Sequence, residues 1–168
     1  MRSHTRKTAM LGLCASLALI LAYLESLLPP LYAAIPGVKI GLPNIAIVFI
    51  LYRFGVKEAA AVSLLRIVIV TLTFGNAMVF AYSVAGGFLS LLGMALLRHF
   101  DVFSAVGVSV AGGVLHNAGQ ILTAMLLLET AELGYYFIVL SVTGIASGVL
   151  VGLCGAFALQ HVPPTLKK

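Results

Sequence analysis

Six apolar stretches, parted by short polar or Pro/Gly-rich breaks, run the length of the chain: residues 9–28, 44–54, 58–74, 77–97, 103–128 and 133–160. Crossing the hydrocarbon core of a bilayer takes roughly 20 apolar residues, within about 17–25. All but the second stretch are long enough. The second, even extended back to Ile40, reaches about 22 Å at the helical rise of ~1.5 Å per residue, short of the ~30 Å core. It is expected either as a short helix shielded by its neighbours or as a re-entrant segment, and five spans is the alternative count. Residues 29–43, with Pro30, Pro36 and Gly37 among them, read as a loop. No polar stretch is long enough to form a second domain. The pattern predicts an all-α, polytopic transmembrane bundle of about six helices, a single integral membrane domain over 1–168.

Charge placement tests the count, because cytoplasmic loops collect Lys and Arg. Six spans with both termini inside put Arg2, Arg6, Lys7, Arg53, Lys57, Arg98, Lys167 and Lys168 on the inner side and Lys39 on the outer side, with Arg66 inside a span. Removing the second span would move the Arg53–Lys57 loop to the wrong side. Glu129 and Glu132 fall in the outer loop before the last span. Arg2, Arg6 and Lys7 ahead of an apolar run also resemble a signal peptide, but no A-x-A site closes the run, so an uncleaved first helix is expected.

Composition agrees. Charged residues make up 9% of the chain and hydrophobic ones 61%, with mean hydropathy +1.14, whereas soluble domains carry about 25% charged residues. The net charge of +5 sits at span ends, which excludes nucleic acid as the partner and makes the bilayer the solvent. Cys14 and Cys154 lie in apolar runs without a CxxC pair, so neither a disulfide framework nor a metal is expected.

Small residues at spacing four let membrane helices approach closely. Gly144, Gly148 and Gly152, with Gly155 beyond, form such a row in the last span. Cys14, Ala18 and Ala22 form another in the first, and Ala18 and Ala22 are candidates for docking a second membrane subunit. The pentapeptide Ser-Val-Ala-Gly-Gly occurs at 83–87 and again at 109–113. The copies fall in antiparallel helices at opposite depths and are not read as a structural repeat.

Polar side chains inside spans are costly and mark candidate sites. Glu25 stands near the outer end of the first span, Asn44 begins the second, Arg66 lies mid-way along the third, and His116, Asn117 and Gln120 occupy the middle to outer half of the fifth. His116 and Gln120 share one helix face, and Asn117 is placed on the same cavity wall. An Arg at mid-span suits a carboxylate or phosphate, which its planar fork can bind bidentately. The alternative is an interhelical network, for instance Arg66 paired with Glu25. Tyr82, Tyr135 and Tyr136 read as an outer aromatic belt.

Absences narrow the chemistry. There is no G-x-x-x-x-G-K-[ST] phosphate loop. Asp101 is the single aspartate, so the clustered carboxylates that hold Mg²⁺ against a diphosphate cannot be built. His4, His99 and His161 lie at span ends. An enzyme is not expected, and no cofactor.

The run Tyr23-Leu-Glu25-Ser-Leu-Leu-Pro-Pro30, then Pro36-Gly-Val-Lys39-Ile-Gly41-Leu-Pro-Asn44, then Ser63-Leu-Leu-Arg66, together with Gly107-Val-Ser-Val-Ala-Gly-Gly113 and His116-Asn117-x-Gly119-Gln120, resembles the Gx transporter family, also labelled heptaprenyl diphosphate synthase component I. The resemblance covers nearly the whole chain and departs at Pro43, where a small residue is expected. In size and layout that family is similar to the substrate-binding S components of energy-coupling factor (ECF) transporters. The resemblance implies six helices, both termini inside, an outward pocket for a vitamin-like molecule, and docking through the first helix onto a separate ECF transmembrane subunit driven by ATPases. The leading expectation is a substrate-binding subunit of an importer in the cytoplasmic membrane of a bacterium, its small, anionic ligand entering beneath the 29–43 loop. The alternative is a non-catalytic membrane partner of a prenyl synthase catalytic subunit. A structural subunit of a membrane redox complex is a third reading.

Overall fold

The computed structural model describes residues 2–27 and 41–162, with side chains from Thr5 onward. Most of the expected 29–43 loop, including Lys39, lies outside the described residues, as do Lys167 and Lys168. Six helices follow in order: α1 Arg2–Ser26, α2 Asn44–Arg53, α3 Val56–Phe74, α4 Ala77–His99, α5 Ala105–Leu127 and α6 Tyr136–His161, the last preceded by a 3₁₀ turn at Ala131–Tyr135. No strand occurs among the described residues. The helix ends follow local chemistry. The Asn76 side chain accepts from Val79 N at 2.9 Å to start α4, and Ser104 accepts from Gly107 N at 3.2 Å to start α5, each satisfying an orphan donor of the first turn. Gly55, at φ 116°, makes the sharp corner from α2 into α3.

Four segments are long and apolar enough to cross a membrane: Thr5–Ser26, Ala77–His99, Ala105–Leu127 and Ala131–His161. The α3 helix has 19 residues but carries Lys57, Glu58 and Arg66. The α2 helix has 10 residues, about 15 Å at the helical rise, so it does not span the core by itself.

The arrangement explains how so short a helix persists. Neighbouring contacts run α1–α3–α4–α5–α6–α2 and back to α1, and α2 also touches α3. Six consecutive α2 residues, Ala46 to Leu51, are buried. A helix apolar on every side needs neighbours, and α2 packs against α1, α3 and α6. Its core cluster includes Cys14 of α1, Ala59 and Val62 of α3, Met94 of α4, Val108 of α5 and Val151 of α6. These residues come from the half of the bundle that holds the basic turns. Among the described residues, α2 therefore plugs that half of the bundle, and no helix continues it into the other half.

Arginines fasten the plug from below. Arg98 donates through Nη1 to Leu51 O and through Nη2 to Tyr52 O at 3.2 Å, and its guanidinium lies 5.1 Å from the Tyr52 ring centroid. Arg53 Nη2 donates to Val162 O at 2.6 Å. Cations at a helix C-terminus satisfy carbonyls that the helix itself cannot. Lys7 and Glu58 join α1 to α3 at the same level.

The glycine rows are packing surfaces, and the two pentapeptides turn out to be used alike. A Cβ on Gly86 would lie 2.8 Å from His116 O of α5, and one on Gly112 would lie 2.6 Å from Met94 Sδ of α4. The second glycine of each copy faces the next helix outward: Gly87 meets Ile67 of α3, and Gly113 meets Gly144 of α6. Antiparallel α4 and α5 thus pack reciprocally through equivalent glycines, a relation that the sequence reading did not assign to them. The α5–α6 contact continues through Gly148 and Gly152, where added Cβ atoms would lie 2.6 Å from Val110 Cα and 2.7 Å from Val106 Cα.

Candidate functional site

Above the α2 plug lies a cavity of about 70 Å³ lined by Ala22, Glu25, Gly41, Asn44, Arg66, Thr71, Tyr82, Ser83, His116 and Gln120, with Ile67, Val70 and Val79 completing the wall. Its depth follows from the helix rise. Arg66 is ten residues past Val56, about 15 Å from the Gly55 corner, and His116 is at a similar height on α5. Polar groups from α1, α2, α3, α4 and α5 therefore meet from the middle of the bundle toward the end away from the basic turns.

Each is held there by its element. Asn44 is the first residue of α2, preceded by Pro43, whose fixed φ of −59° suits a helix start and which is fully buried. The departure noted at Pro43 therefore falls where proline is most at home. Gly41, at φ 80°, turns the chain so that its N–H donates to Glu25 Oε1. His116 and Gln120 face α4 across Gly86, where a Cβ would meet Gln120 Cγ at 2.9 Å and His116 Cε1 at 3.1 Å. Absence of that Cβ lets the imidazole and the amide lie against α4 and look into the cavity.

Arg66 is the chemical centre. Its Nε is buried and has no hydrogen-bond partner among the described residues. A buried donor left unpaired costs about 1–3 kcal/mol, more on a charged group. Glu25 is itself buried, at 6% exposure, and lines the same cavity. Its carboxylate accepts from the Gly41 N–H. A fixed guanidinium with hydroxyl, amide and imidazole groups around it can bind a carboxylate or phosphate and orient the remainder of a small molecule.

The family comparison covers this whole site. Residues 14–158 match a family described as heptaprenyl diphosphate synthase component I. The chain belongs to that family. The matched stretch runs from the first helix to near the end of the last, and every cavity-lining residue falls inside it. Component I names one component of a synthase, in agreement with the expectation of an accessory subunit rather than the enzyme. Neither the curated proteins nor the solved structures give a match. The expected likeness to ECF S components rests on size and layout, and no comparison bears on it.

Of the expected site residues, Glu25, Asn44, Arg66, His116 and Gln120 are brought together. Asn117 is not. It is buried at 6% exposure, and its Nδ2 donates to Leu140 O at 2.7 Å. One position round the helix from His116 is a turn of about 100°, which sends Asn117 toward α6, where it ties two helices instead of lining the cavity.

The small-residue row on α1 is also used differently. Ala18 is 0% and Ala22 is 4% exposed, and Ala22 borders the cavity. They serve close packing within the bundle and do not form a displayed docking face. The outward face of α1 instead presents Leu13, Leu17, Ile20 and Leu24. Tyr82 lines the cavity, in addition to any role in an aromatic belt, and Ser83 and Thr71 join it. The available signal was register: Ser83 precedes Gly86 by three positions and so shares its helix face.

Proposed function

We propose that this chain is a non-catalytic membrane subunit that holds a small anionic molecule in the Arg66 cavity, as the substrate-binding part of an importer in the cytoplasmic membrane. The observation that carries this reading is Arg66, which lines a hollow with several polar groups in an otherwise apolar bundle and whose buried Nε has no hydrogen-bond partner among the described residues. The ligand enters from the outer side. Arg66 and Asn44 take its charged end, and His116 and Gln120 take the opposite end. An ATPase-driven membrane partner would supply the energy.

The test is to purify the chain, identify co-purifying small molecules by mass spectrometry, and measure their rebinding. Charge-assisted hydrogen bonds are each worth about 1.5–3 kcal/mol, so Arg66→Ala should weaken binding roughly 10- to 100-fold. Arg66→Lys should recover only part of that, because a point charge replaces the fork. Wild-type binding by both Arg66→Ala and His116→Ala would remove the cavity as the site.

The family description favours a second reading, and supports it more directly than it supports transport: a non-catalytic membrane partner of a polyprenyl diphosphate synthase. In that case the Arg66 cation would face a diphosphate-bearing precursor. Recovery of a soluble, aspartate-rich prenyl synthase in stoichiometric complex with the tagged chain, with no effect of Arg66→Ala on uptake of any small molecule, would select it.

A further inference from the structure

A second hollow, about 180 Å³, opens between α1, α2 and α6. Its wall is apolar: Met10, Leu13 and Leu17 of α1, Phe49 of α2, Ala158 of α6 and Val162 just beyond it. From Met10 to Leu17 it follows α1 for about 10 Å, in the half of the bundle that holds the basic turns. An apolar furrow on a membrane protein is ordinarily wetted by whatever hydrocarbon is near. The mouth of this one is different.

The lining stripe of α1 continues one turn toward the cytoplasm to Arg6, four residues before Met10. That of α2 continues from Phe49 to Arg53, four residues after it. Arg53 Nη2 donates to the carbonyl of Val162, a lining residue, at 2.6 Å, which fixes its guanidinium on the rim. Arg6 is exposed. No acidic side chain lines the furrow, and the Glu58 carboxylate at this level is engaged by Lys7. The result is an apolar slot with two cations at its headgroup end.

We propose that this groove seats one acyl chain of an anionic phospholipid of the cytoplasmic leaflet, its phosphate lying between Arg6 and Arg53. Depth, apolar lining and sign of charge all complement such a lipid. A zwitterionic lipid satisfies the slot but not the rim. The occupant also covers the seam where α2 meets α1 and α6, so it steadies the plug. This inference stands independently of what fills the Arg66 cavity.

The experiment uses the full chain in detergent, titrated with phosphatidylglycerol or phosphatidylcholine of identical acyl chains and read by native mass spectrometry. One phosphatidylglycerol should be retained per chain. A basic side chain near the surface is worth about fivefold toward an anionic lipid, so a preference of about that size per rim cation is expected. Arg6→Gln should reduce the preference about fivefold. Ala158→Phe, which fills the slot, should lower retention of both lipids. Lys57→Gln, on a helix that lends the groove no residue, should change neither. In the wild-type chain, a phosphatidylglycerol with a photoactivatable tail should label peptides 10–17 and 158–162. Equal retention of the two lipids overturns the proposal, as does an equal loss with Lys57→Gln or labelling confined to other helices. So does displacement of phosphatidylglycerol by a polyprenyl diphosphate, which would give the groove to an isoprenoid chain.

Discussion

At the scale of single residues, the cavity is decided by which way a side chain turns from its helix. His116 and Gln120, four apart, look at α4, while Asn117 looks at α6 and donates to Leu140 O. The sequence made the shared face of the first two legible, because spacing four is a geometric statement. It could not make Asn117 legible, since a polar residue beside a cavity and one beside a facing backbone carbonyl have the same cost in lipid and the same composition. The alanines at 18 and 22 pose the same problem: a small side chain permits close approach without saying whether the partner helix belongs to this chain. Gly86 is where packing and site meet. In Gly86→Ala, the new Cβ would stand 2.8 Å from His116 O, and overpacking of this kind costs about 1–3 kcal/mol. A lower thermal midpoint together with weaker ligand retention is expected. Gly12→Ala, with nothing within 4 Å of the added atom, should leave both unchanged.

At the scale of elements, helix limits followed from residues that stop or start helices. The expected stretch 77–97 is observed as Ala77–His99, and 58–74 as Val56–Phe74, bounded by Gly55, Gly75 and Asn76. The first helix begins earlier than its apolar run, since Arg2 to Thr8 continue the helix into the basic region. The 3₁₀ turn before α6 left no apolar signature and was absorbed into the last stretch. Length alone left α2 undecided between a short helix shielded by its neighbours and a re-entrant segment. Among the described residues it is a short helix buried from Ala46 to Leu51 and clasped by Arg98. Arg98→Gln should release two carbonyls at the end of α2. Hydrogen bonds to a charged group are worth about 1.5–3 kcal/mol each, and a loss of that order for the pair is the expected outcome in detergent-denaturant unfolding. Lys57→Gln serves as the neutral comparison, expected within about 0.5 kcal/mol of wild type.

At the scale of the molecule, basic turns at Arg53–Lys57 and Arg98 lie at one end of the bundle, and the Glu129–Glu132 turn lies at the other. Positive-inside orientation then predicts a measurable sidedness. In a chain with Cys14 and Cys154 replaced by serine, Glu132→Cys should react with a membrane-impermeant maleimide on intact cells. Lys57→Cys should react only after permeabilisation. The reverse pattern would invert the chain and place the mouth of the cavity on the wrong side for uptake. This arrangement was legible as a count of cations. What the sequence could not provide was the order of helices around the bundle, with α2 packed between α6 and α1, because it depends on which apolar faces choose each other, and apolar faces in lipid are nearly interchangeable.

A half-height plug also has an electrical meaning. A charge resting above α2, about 15 Å from the inner corner, has already traversed a sizeable part of the voltage drop across the bilayer. The full drop is worth about 2.3 kcal/mol per elementary charge per 100 mV, so a monoanion arriving from outside against a negative interior gives up about half of that. Affinity in oriented proteoliposomes should therefore fall about sevenfold per −100 mV imposed. Loading would be strongest when the membrane is depolarised, making occupancy of the cavity a report on cellular energisation as much as on the supply of ligand.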